Sequence, residues 1–168
     1  EDIREAPNGW TCNSFSNHDF VRHATRFAVP PKLSIVVLLC LRGSVSLYQG
    51  EELGLPEADV PYEALRDPFG LELWPRFKGR DGCRTPMVWD SKLKNAGFST
   101  SDSLWLPIPR DHFPLAVEGQ KADPNSCLNH YRAVLAFRRR FRQLISGPIR
   151  LLSQSLPKGH SVLAFERS

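Results

Sequence analysis

A strand, a helix and a second strand are predicted in succession near the start of the chain, and this order restricts the possible folds most strongly. Residues 10–15 alternate loosely and include threonine and aromatic side chains, which favour a strand. Two prolines at the head of residues 32–41 predict a helix, because proline is tolerated in the first helical turn. Gly43 ends this helix, and residues 45–48 predict the second strand. Such a succession is the parallel crossover unit of an α/β fold.

The longest apolar run, residues 33–41, lies inside the predicted helix and is interrupted only by Ser34. It is too short to cross a membrane, since a hydrocarbon core needs about 20 residues, and we expect a buried helix. The chain begins at Glu1 with no methionine and no signal-like segment, so we expect it to be the inside of a longer sequence.

The cysteines indicate the cellular compartment. Cys12, Cys40, Cys83 and Cys127 lie too far apart for a zinc knuckle or a C-x-x-C redox pair. Three of them lie in apolar or helical surroundings, where a free thiol behaves as a small hydrophobic group. The sequence also has no N-x-S/T glycosylation site. We therefore expect a reducing compartment and a cytoplasmic protein.

Residues 50–89 form a long segment that is rich in proline, glycine and acidic residues and follows no sustained period of 3.6 or 2. Residues 95–123 continue irregular, with an apolar stretch at 105–109 that we expect to lie extended against the body. An irregular segment of this length inside a compact domain is usually functional. We therefore expect it to carry part of the site.

Residues 125–141 give the clearest helix, with an apolar stripe, a start signal at Pro124 and an end at Gly147. Residues 138–142 form the densest basic run in a chain of net charge +4 and pI near 9.1. We interpret this run as a solvated helix end, where cations complement the helix dipole. A nucleic-acid partner is not expected, because no known binding module surrounds it.

The end of the chain predicts strands rather than helices. Two alternating runs, residues 149–152 and 161–165, flank Pro157-Lys158-Gly159, which predicts a β-hairpin. We therefore predict two domains: residues 1–146 form the α/β part, and residues 147–168 begin an antiparallel β domain.

The densest group of polar side chains is Asn17-His18-Asp19-Phe20-Val21-Arg22, directly after the first predicted strand. An amide, an imidazole, a carboxylate and a guanidinium lie within six positions, and this chemistry suits a sugar or a phosphate. The same residues also fit a capped helix start, in which Asn17 or Asp19 accepts backbone N–H bonds.

Three longer motifs and two shorter stretches follow one another along the chain. The motifs are Phe15-Ser16-Asn17-His18-Asp19, Leu47-Tyr48-Gln49-Gly50-Glu51-Glu52-Leu53-Gly54 and Gly79-Arg80-Asp81-Gly82-Cys83-Arg84-Thr85-Pro86-Met87, and the stretches are residues 95–99 and 128–132. In residue identity, order and spacing they resemble the α-glucosidases of glycoside hydrolase family thirteen, of the oligo-1,6-glucosidase or maltase type. This resemblance covers nearly the whole chain.

The resemblance implies the C-terminal part of a TIM (β/α)8 barrel followed by the start of an antiparallel β domain. Residues 10–15 correspond to the seventh barrel strand and residues 45–48 to the eighth, so the chain is expected to hold about the last two βα units. Residues 50–123 then form the loop after the eighth strand, at the barrel face where active sites are built. Residues 125–141 correspond to the last barrel helix.

The resemblance also implies site residues. Asp19 matches the family's third catalytic carboxylate, which binds the glucosyl hydroxyl groups through hydrogen bonds that strengthen as positive charge develops on the sugar. His18 is expected to hold a neighbouring hydroxyl group. Arg84 matches the arginine of the family's Arg-Thr-Pro-Met run and is expected to clamp the closed end of the glucose pocket with its fork of donors. Arg80 is the second candidate for this substrate-binding role.

The residues themselves leave other roles open for the three arginines. Arg80 and Arg84 flank Asp81, and ion pairs with Asp81 would simply tie the loop down. Arg22 is expected either to support Asp19 without contacting the substrate, which would keep the carboxylate ionised, or to begin the next helix on the surface.

Other titratable residues are expected to have no catalytic role. Glu51 and Glu52 are adjacent, so their side chains point in different directions, and we expect them to be structural. The remaining histidines show no ligand spacing, which predicts no metal site, and no cofactor is expected. These histidines are His23, His112, His130 and His160.

Retaining glycosidases need a carboxylate nucleophile and a carboxylic acid about 5 to 5.5 Å apart. In the family these come from barrel strands four and five, and we expect this chain to begin after both. The resemblance therefore predicts part of a retaining α-glucosidase for short α-linked glucosides of the maltose or isomaltose type, inactive as an isolated chain. A transglycosylase, or a sucrose- or trehalose-processing relative, shares the same intermediate and remains an alternative.

Two barrel strands alone leave open sheet edges and apolar faces. Besides the oligosaccharide, the expected partners are therefore the missing part of the barrel or a second copy of the chain. The alternative from another class is a non-catalytic remnant or interaction protein that binds a partner through these edges. No membrane partner is expected.

Overall fold

The computed structural model describes residues 9–152 and 164–168, and it opens with two short strands that pair in parallel. Strand β1 (Cys12–Asn13) lies beside strand β2 (Ser44–Val45), and Cys12 is opposite Ser44 in the register. Helices α1 (His23–Arg26) and α2 (Pro31–Cys40) lie between them in the chain. The predicted parallel crossover unit is therefore confirmed. Its strands are shorter than predicted, because β1 and β2 have only each other as ladder partners among the described residues.

Helix α2 confirms the predicted helix to within one residue at each end. Its Ile35 and Leu39 pack against Tyr131, whereas Leu33 and Val36 on its other side are exposed. The prediction of a buried helix is therefore correct for one face only, since none of the described elements covers the other face. No helix in the described part of the chain combines the length and the apolar character needed to span a bilayer.

The long segment after β2 is less irregular than predicted. It contains two six-residue helices, α3 (Pro68–Leu73) and α4 (Val117–Ala122). It also contains four 3-10 turns, which are Tyr62–Ala64, Asp81–Cys83, Lys94–Gly97 and Arg110–Leu115. The sequence did not predict these elements, because each is too short to display a helical period.

Two clusters of apolar side chains form the core of this segment, and one of them includes Leu128 from beyond the segment. One cluster comprises Leu53, Leu55, Met87, Val88, Ala96, Ala116, Val117 and Leu128. The other comprises Ala58, Val60, Leu65 and Leu106. The segment is therefore a packed structure that can hold polar side chains at fixed positions.

Helix α5 (Cys127–Arg140) confirms the predicted long helix and packs along α2. It begins with a side-chain cap, in which Ser126 Oγ accepts from the backbone N–H of Asn129 at 3.1 Å. The long helix ends at its C-cap Phe141, so the prediction that Gly147 ends it is wrong. Gly147 instead ends the short helix α6 (Gln143–Ser146), which the sequence did not predict.

Strand β3 (Ile149–Leu151) pairs antiparallel with strand β4 (Phe165–Arg167). The first run of the predicted hairpin is thus confirmed as a strand. The second strand overlaps the predicted run of residues 161–165 at Phe165. Residues 161–163 of that run and the predicted turn at residues 157–159 lie outside the described residues. Whether residue 147 begins a separate domain stays a prediction.

The basic run at the end of α5 corrects the prediction of a solvated helix end. Arg139 and Arg140 are exposed, but Arg138 is only 7% exposed. Its guanidinium donates to four main-chain carbonyls, those of Leu39, Leu41, Gly43 and Leu144. A planar cation with five donors can satisfy several carbonyls that a helix end and a strand start leave unpaired. Arg138 therefore joins α2, β2 and α6.

Replacing Arg138 by methionine should destabilise the protein by about 2–4 kcal/mol, because four buried or partly buried carbonyl groups would lose a charged donor. The same change at exposed Arg139 is the matched control and should alter the free energy of unfolding by less than about 0.5 kcal/mol. Urea denaturation followed by circular dichroism measures both. Equal stability of the two variants would show that Arg138 does not join these elements.

Candidate functional site

The loop after β1 turns through hydrogen bonds made by its own side chains. Asn17 Oδ1 accepts from the backbone N–H of Asp19 at 2.8 Å, and Ser16 Oγ accepts from the backbone N–H of His23 at 2.9 Å. Helix α1 begins only after Arg22, whose side chain makes no capping hydrogen bond. The interpretation of the polar group as a capped helix start is therefore wrong, because Asn17 closes a turn inside the loop.

The Asp19 carboxylate is 44% exposed and lies against two arginines. Its Oδ1 accepts from Arg80 Nη1 at 3.0 Å and from Arg84 Nη2 at 3.2 Å. Its Oδ2 lies 3.3 Å from His18 Nε2. The structure therefore brings all four predicted site residues together, with one carboxylate oxygen shared by two cations and the other beside the histidine.

Arg84 holds the loop after β1 with two of the five N–H donors of its guanidinium. Its Nε donates to the main-chain oxygen of His18 at 2.8 Å, besides the Nη2 contact to Asp19. The other N–H groups of this guanidinium have no acceptor in the part of the chain that the structure describes. Because the side chain is 23% exposed, these donors are accessible to a ligand.

Arg80 is fixed by Asp67, a residue that sequence reasoning missed. Arg80 Nε donates to Asp67 Oδ2 and Arg80 Nη2 to Asp67 Oδ1, both at 2.9 Å. The Arg80 backbone N–H also donates to Asp67 Oδ2 at 2.7 Å. The Asp67 side chain is fully buried, and the hydrogen bonds from Arg80 lower the pKa of its carboxyl to about 2.

Asp81 has another role than the ion pair considered from the sequence. Its Oδ2 accepts from the backbone N–H groups of Arg66 and Asp67, at 2.6 and 2.8 Å. The alternative in which Arg80 or Arg84 pairs with Asp81 is therefore wrong. Asp67 did leave a sequence signal, since an aspartate directly before a proline is typical of a helix start, and it is the N-cap of α3.

Arg22 directly precedes α1 but is buried, so the expectation of a helix start on the surface is wrong. Its guanidinium joins two other loops and makes no hydrogen bond or ion pair with Asp19 in the described part of the chain, so its expected support of Asp19 stays a prediction. Arg22 Nη1 donates to the main-chain oxygen of Gln49, and Arg22 Nη2 donates to that of Cys83, each at 2.8 Å. Its backbone N–H donates to Glu57 Oε2 at 2.8 Å. A Cβ at Gly50, where φ is +84°, would lie 2.9 Å from Arg22 Nη1, which explains the glycine.

His23 and Glu51 form a buried pair of titratable side chains. His23 Nδ1 lies 3.4 Å from Glu51 Oε1 and 3.2 Å from Ser16 Oγ. Glu51 Oε2 also accepts from the backbone N–H of Tyr48 at 3.1 Å. Burial raises the pKa of Glu51 to about 7 and lowers the pKa of His23 to about 4. The expected structural role of Glu51 is therefore confirmed, because it supports the loop from inside the core.

Sequence comparison relates the chain to known proteins. Residues 2–147 match the family model described as the α-amylase catalytic domain. A probable α-glucosidase of Rhizobium meliloti (strain 1021) is 51% identical over 172 residues, which cover 98% of this chain and 30% of that protein. Probable oligo-1,6-glucosidase 2 of Bacillus subtilis (strain 168) is 30% identical over 175 residues, which cover 89% of this chain and 31% of that protein.

Structural comparison agrees with this relationship. The crystal structure of the α-glucosyl transfer enzyme XgtA matches with a TM-score of 0.87 and 44% identity, over 95% of this chain and 30% of that chain. The present chain thus spans about 30% of the length of the relatives described here. The match supports the predicted partial barrel, whereas the predicted β domain stays a prediction.

Replacing Glu51 by glutamine should remove a pH dependence of stability. The folded protein holds the Glu51 proton up to about pH 7, whereas an unperturbed glutamate loses it near 4.5. The stabilising contribution is therefore complete below pH 4.5 and is lost as the pH rises through 7. Urea denaturation between pH 5 and 8 should show a steeper loss of stability for the native protein than for Glu51→Gln.

The control for this prediction is Glu52→Gln, a half-buried position one residue further along. This variant should keep the steeper pH dependence of the native protein. Parallel pH profiles for the native protein and Glu51→Gln would contradict the prediction.

Proposed function

We propose that this chain, which belongs to the family of α-amylase catalytic domains, supplies the glucosyl-binding part of the active site of a retaining α-glucosidase. The observation that carries the proposal is the Asp19 carboxylate, which is half exposed and held by two arginines through a single oxygen. The names of the two curated relatives support an α-glucosidase or an oligo-1,6-glucosidase.

The contacts of Asp19 support a role in stabilising an oxocarbenium-like transition state. The arginines engage its Oδ1, so Oδ2 is left to accept a hydrogen bond from the sugar hydroxyl next to the reacting carbon. Such a hydrogen bond strengthens as positive charge develops on the ring, and the fixed negative charge of the carboxylate acts in the same direction. Asp19 is therefore proposed to stabilise the transition state more than the bound substrate.

His18 and Arg84 are proposed to bind the same glucosyl unit. The His18 imidazole is 68% exposed and lies beside Asp19 Oδ2, from where it can reach a neighbouring hydroxyl group. The unengaged donors of Arg84 form part of a rigid planar fork, which suits two adjacent hydroxyl oxygens. Two of the three residues thus offer donors and one offers an acceptor, as a sugar ring requires.

Double displacement also needs a nucleophile and an acid whose carboxyl groups are about 5 to 5.5 Å apart. Asp67 cannot be one of them, because its carboxylate is fully buried and both oxygens accept from Arg80. We propose that both groups come from other parts of the enzyme. The residues described here would then bind and orient the glucosyl unit.

The same proposal assigns roles to the surrounding elements. The unit of β1, α2 and β2 belongs to a (β/α)8 barrel, and residues 50–123 are the loop after its last strand. The exposed side of α2 is then covered by the rest of the barrel, and β3 and β4 begin a separate β domain. The four free cysteines support a reducing, cytoplasmic setting.

Glucosyl transfer is the second candidate function, because one of the matching solved structures is that of an α-glucosyl transfer enzyme. Hydrolysis and transfer share a covalent intermediate and differ in whether water or a second sugar intercepts it. Product analysis with and without an added acceptor sugar separates the two. Free glucose alone indicates hydrolysis, and a longer glucoside indicates transfer.

Replacing Asp19 by asparagine should lower kcat on an aryl α-glucoside at least about a hundredfold, because the variant loses a charge that stabilises the transition state. The measurement uses the complete product of the gene and follows release of the phenol. Asp102→Asn is the matched control, since that carboxylate is fully exposed and should leave kcat unchanged.

Two outcomes would contradict the proposal. If Asp19→Asn turned over the glucoside as fast as the control, the assignment of Asp19 would be wrong. If the native protein neither cleaved nor transferred any α-glucoside, the alternative of a non-catalytic interaction protein would replace it.

A further inference from the structure

We propose that Asp67 is a positioning residue that holds Arg80 so that it gives one N–H group to Asp19 Oδ1 and leaves Asp19 Oδ2 without an arginine donor, available to the substrate. The inference rests on the proposed function of Asp19. It gives Arg80 a different role from the substrate clamp expected from the sequence, because the sugar would not contact it.

Two hydrogen bonds besides those with Arg80 fix Asp67. Its backbone N–H donates to Asp81 Oδ2 at 2.8 Å. Its own Oδ1 accepts from the backbone N–H of Phe69 at 3.4 Å, as the N-cap of α3. The backbone of Asp67 and its carboxylate are therefore each held by a hydrogen bond, and the side chain is fully excluded from solvent.

Asp67 and Phe69 together immobilise the Arg80 guanidinium. The edge formed by Nε and Nη2 donates to the two oxygens of Asp67 in a fork-to-fork pair, which fixes the plane of the group. The Arg80 Cζ atom lies 5.0 Å from the centroid of the Phe69 ring, so the face of the group is packed as well. The remaining nitrogen, Nη1, meets Asp19 Oδ1 at 3.0 Å.

The pair with Asp67 limits how Arg80 can bind Asp19. An arginine with a free fork binds a carboxylate through both oxygens when it can. With its fork engaged by Asp67, Arg80 contacts only Oδ1 of Asp19. Without Asp67 the fork would turn to Asp19 and occupy Oδ2, the oxygen proposed to receive the sugar hydroxyl.

Charge balance supports the same role. Asp67, Arg80, Asp19 and Arg84 form a continuous chain of two anions and two cations, with no net charge. Loss of the Asp67 charge would leave one surplus cation beside a site where the transition state itself becomes positive. The resulting repulsion acts on the transition state more than on the neutral substrate, so it should lower kcat more than it raises KM.

The test compares kcat and KM of four forms of the complete gene product on an aryl α-glucoside. Asp67→Asn should lower kcat at least about tenfold and change KM by less than about threefold. Adding Arg80→Met to Asp67→Asn removes the misdirected fork and the surplus charge, so the double variant should have a higher kcat than Asp67→Asn alone. Asp59→Asn is the control, because this exposed carboxylate of the same loop pairs with Lys78 and should behave as native.

A second variant covers the case in which Asp67→Asn does not fold. Arg80→Lys keeps the charge but loses the fork that Asp67 holds, at a side chain that is 28% exposed. Its ammonium can then move to either oxygen of Asp19, so this variant should also lower kcat. The inference is overturned if Asp67→Asn or Arg80→Lys keeps the native kcat. It is also overturned if the double variant is no better than Asp67→Asn. An inactive native protein would instead remove the proposed function on which the inference rests.

Discussion

The buried Arg22 guanidinium joins the loop of Asp19 to two loops that lie 27 and 61 residues further along the chain. Each loop contributes a main-chain carbonyl, and a cation with several rigid donors can satisfy both carbonyls at once. A charge enclosed in this way is stable only while its hydrogen bonds are made, so the three loops must keep one arrangement. The distance between Asp19 and Arg84 follows from this constraint, because Arg84 comes directly after Cys83, whose carbonyl Arg22 holds.

A second group of charged side chains, Asp67, Arg80, Asp19 and Arg84, is proposed to determine what the site can bind. Asp67 engages the fork of Arg80, Arg80 and Arg84 meet on one oxygen of Asp19, and the other oxygen stays beside His18. Loops without long helices or strands can support this arrangement because side chains supply hydrogen bonds that secondary structure would otherwise make. The result is an accessible carboxylate of fixed orientation, which is the property that recognition of a sugar ring requires.

Much of this molecule can be predicted from its sequence, and the exceptions have physical causes. Paired prolines and apolar periodicity revealed the two long helices, and the Asn17-His18-Asp19 and Arg-Thr-Pro-Met motifs indicated residues that the fold brings together. The burial of Arg138 and Arg22 was not predicted. The sequence pattern of an arginine in a basic run or at a helix start is the same whether solvent or main-chain carbonyls surround its side chain. Asp67 was missed for a similar reason, since its partner lies 13 residues away in an aperiodic loop.

A crystal structure of the complete gene product with a glucose-shaped iminosugar would test the glucosyl site most directly, because such a cation mimics the charge of the transition state. The ring should lie against Asp19, with the hydroxyl group next to the reacting position donating to Oδ2 and the free donors of Arg84 on adjacent hydroxyl groups. Arg80 should keep its fork on Asp67 and make no contact with the sugar. A ring bound elsewhere, or one that leaves Asp19 Oδ2 without a sugar contact, would contradict the assignment of this site.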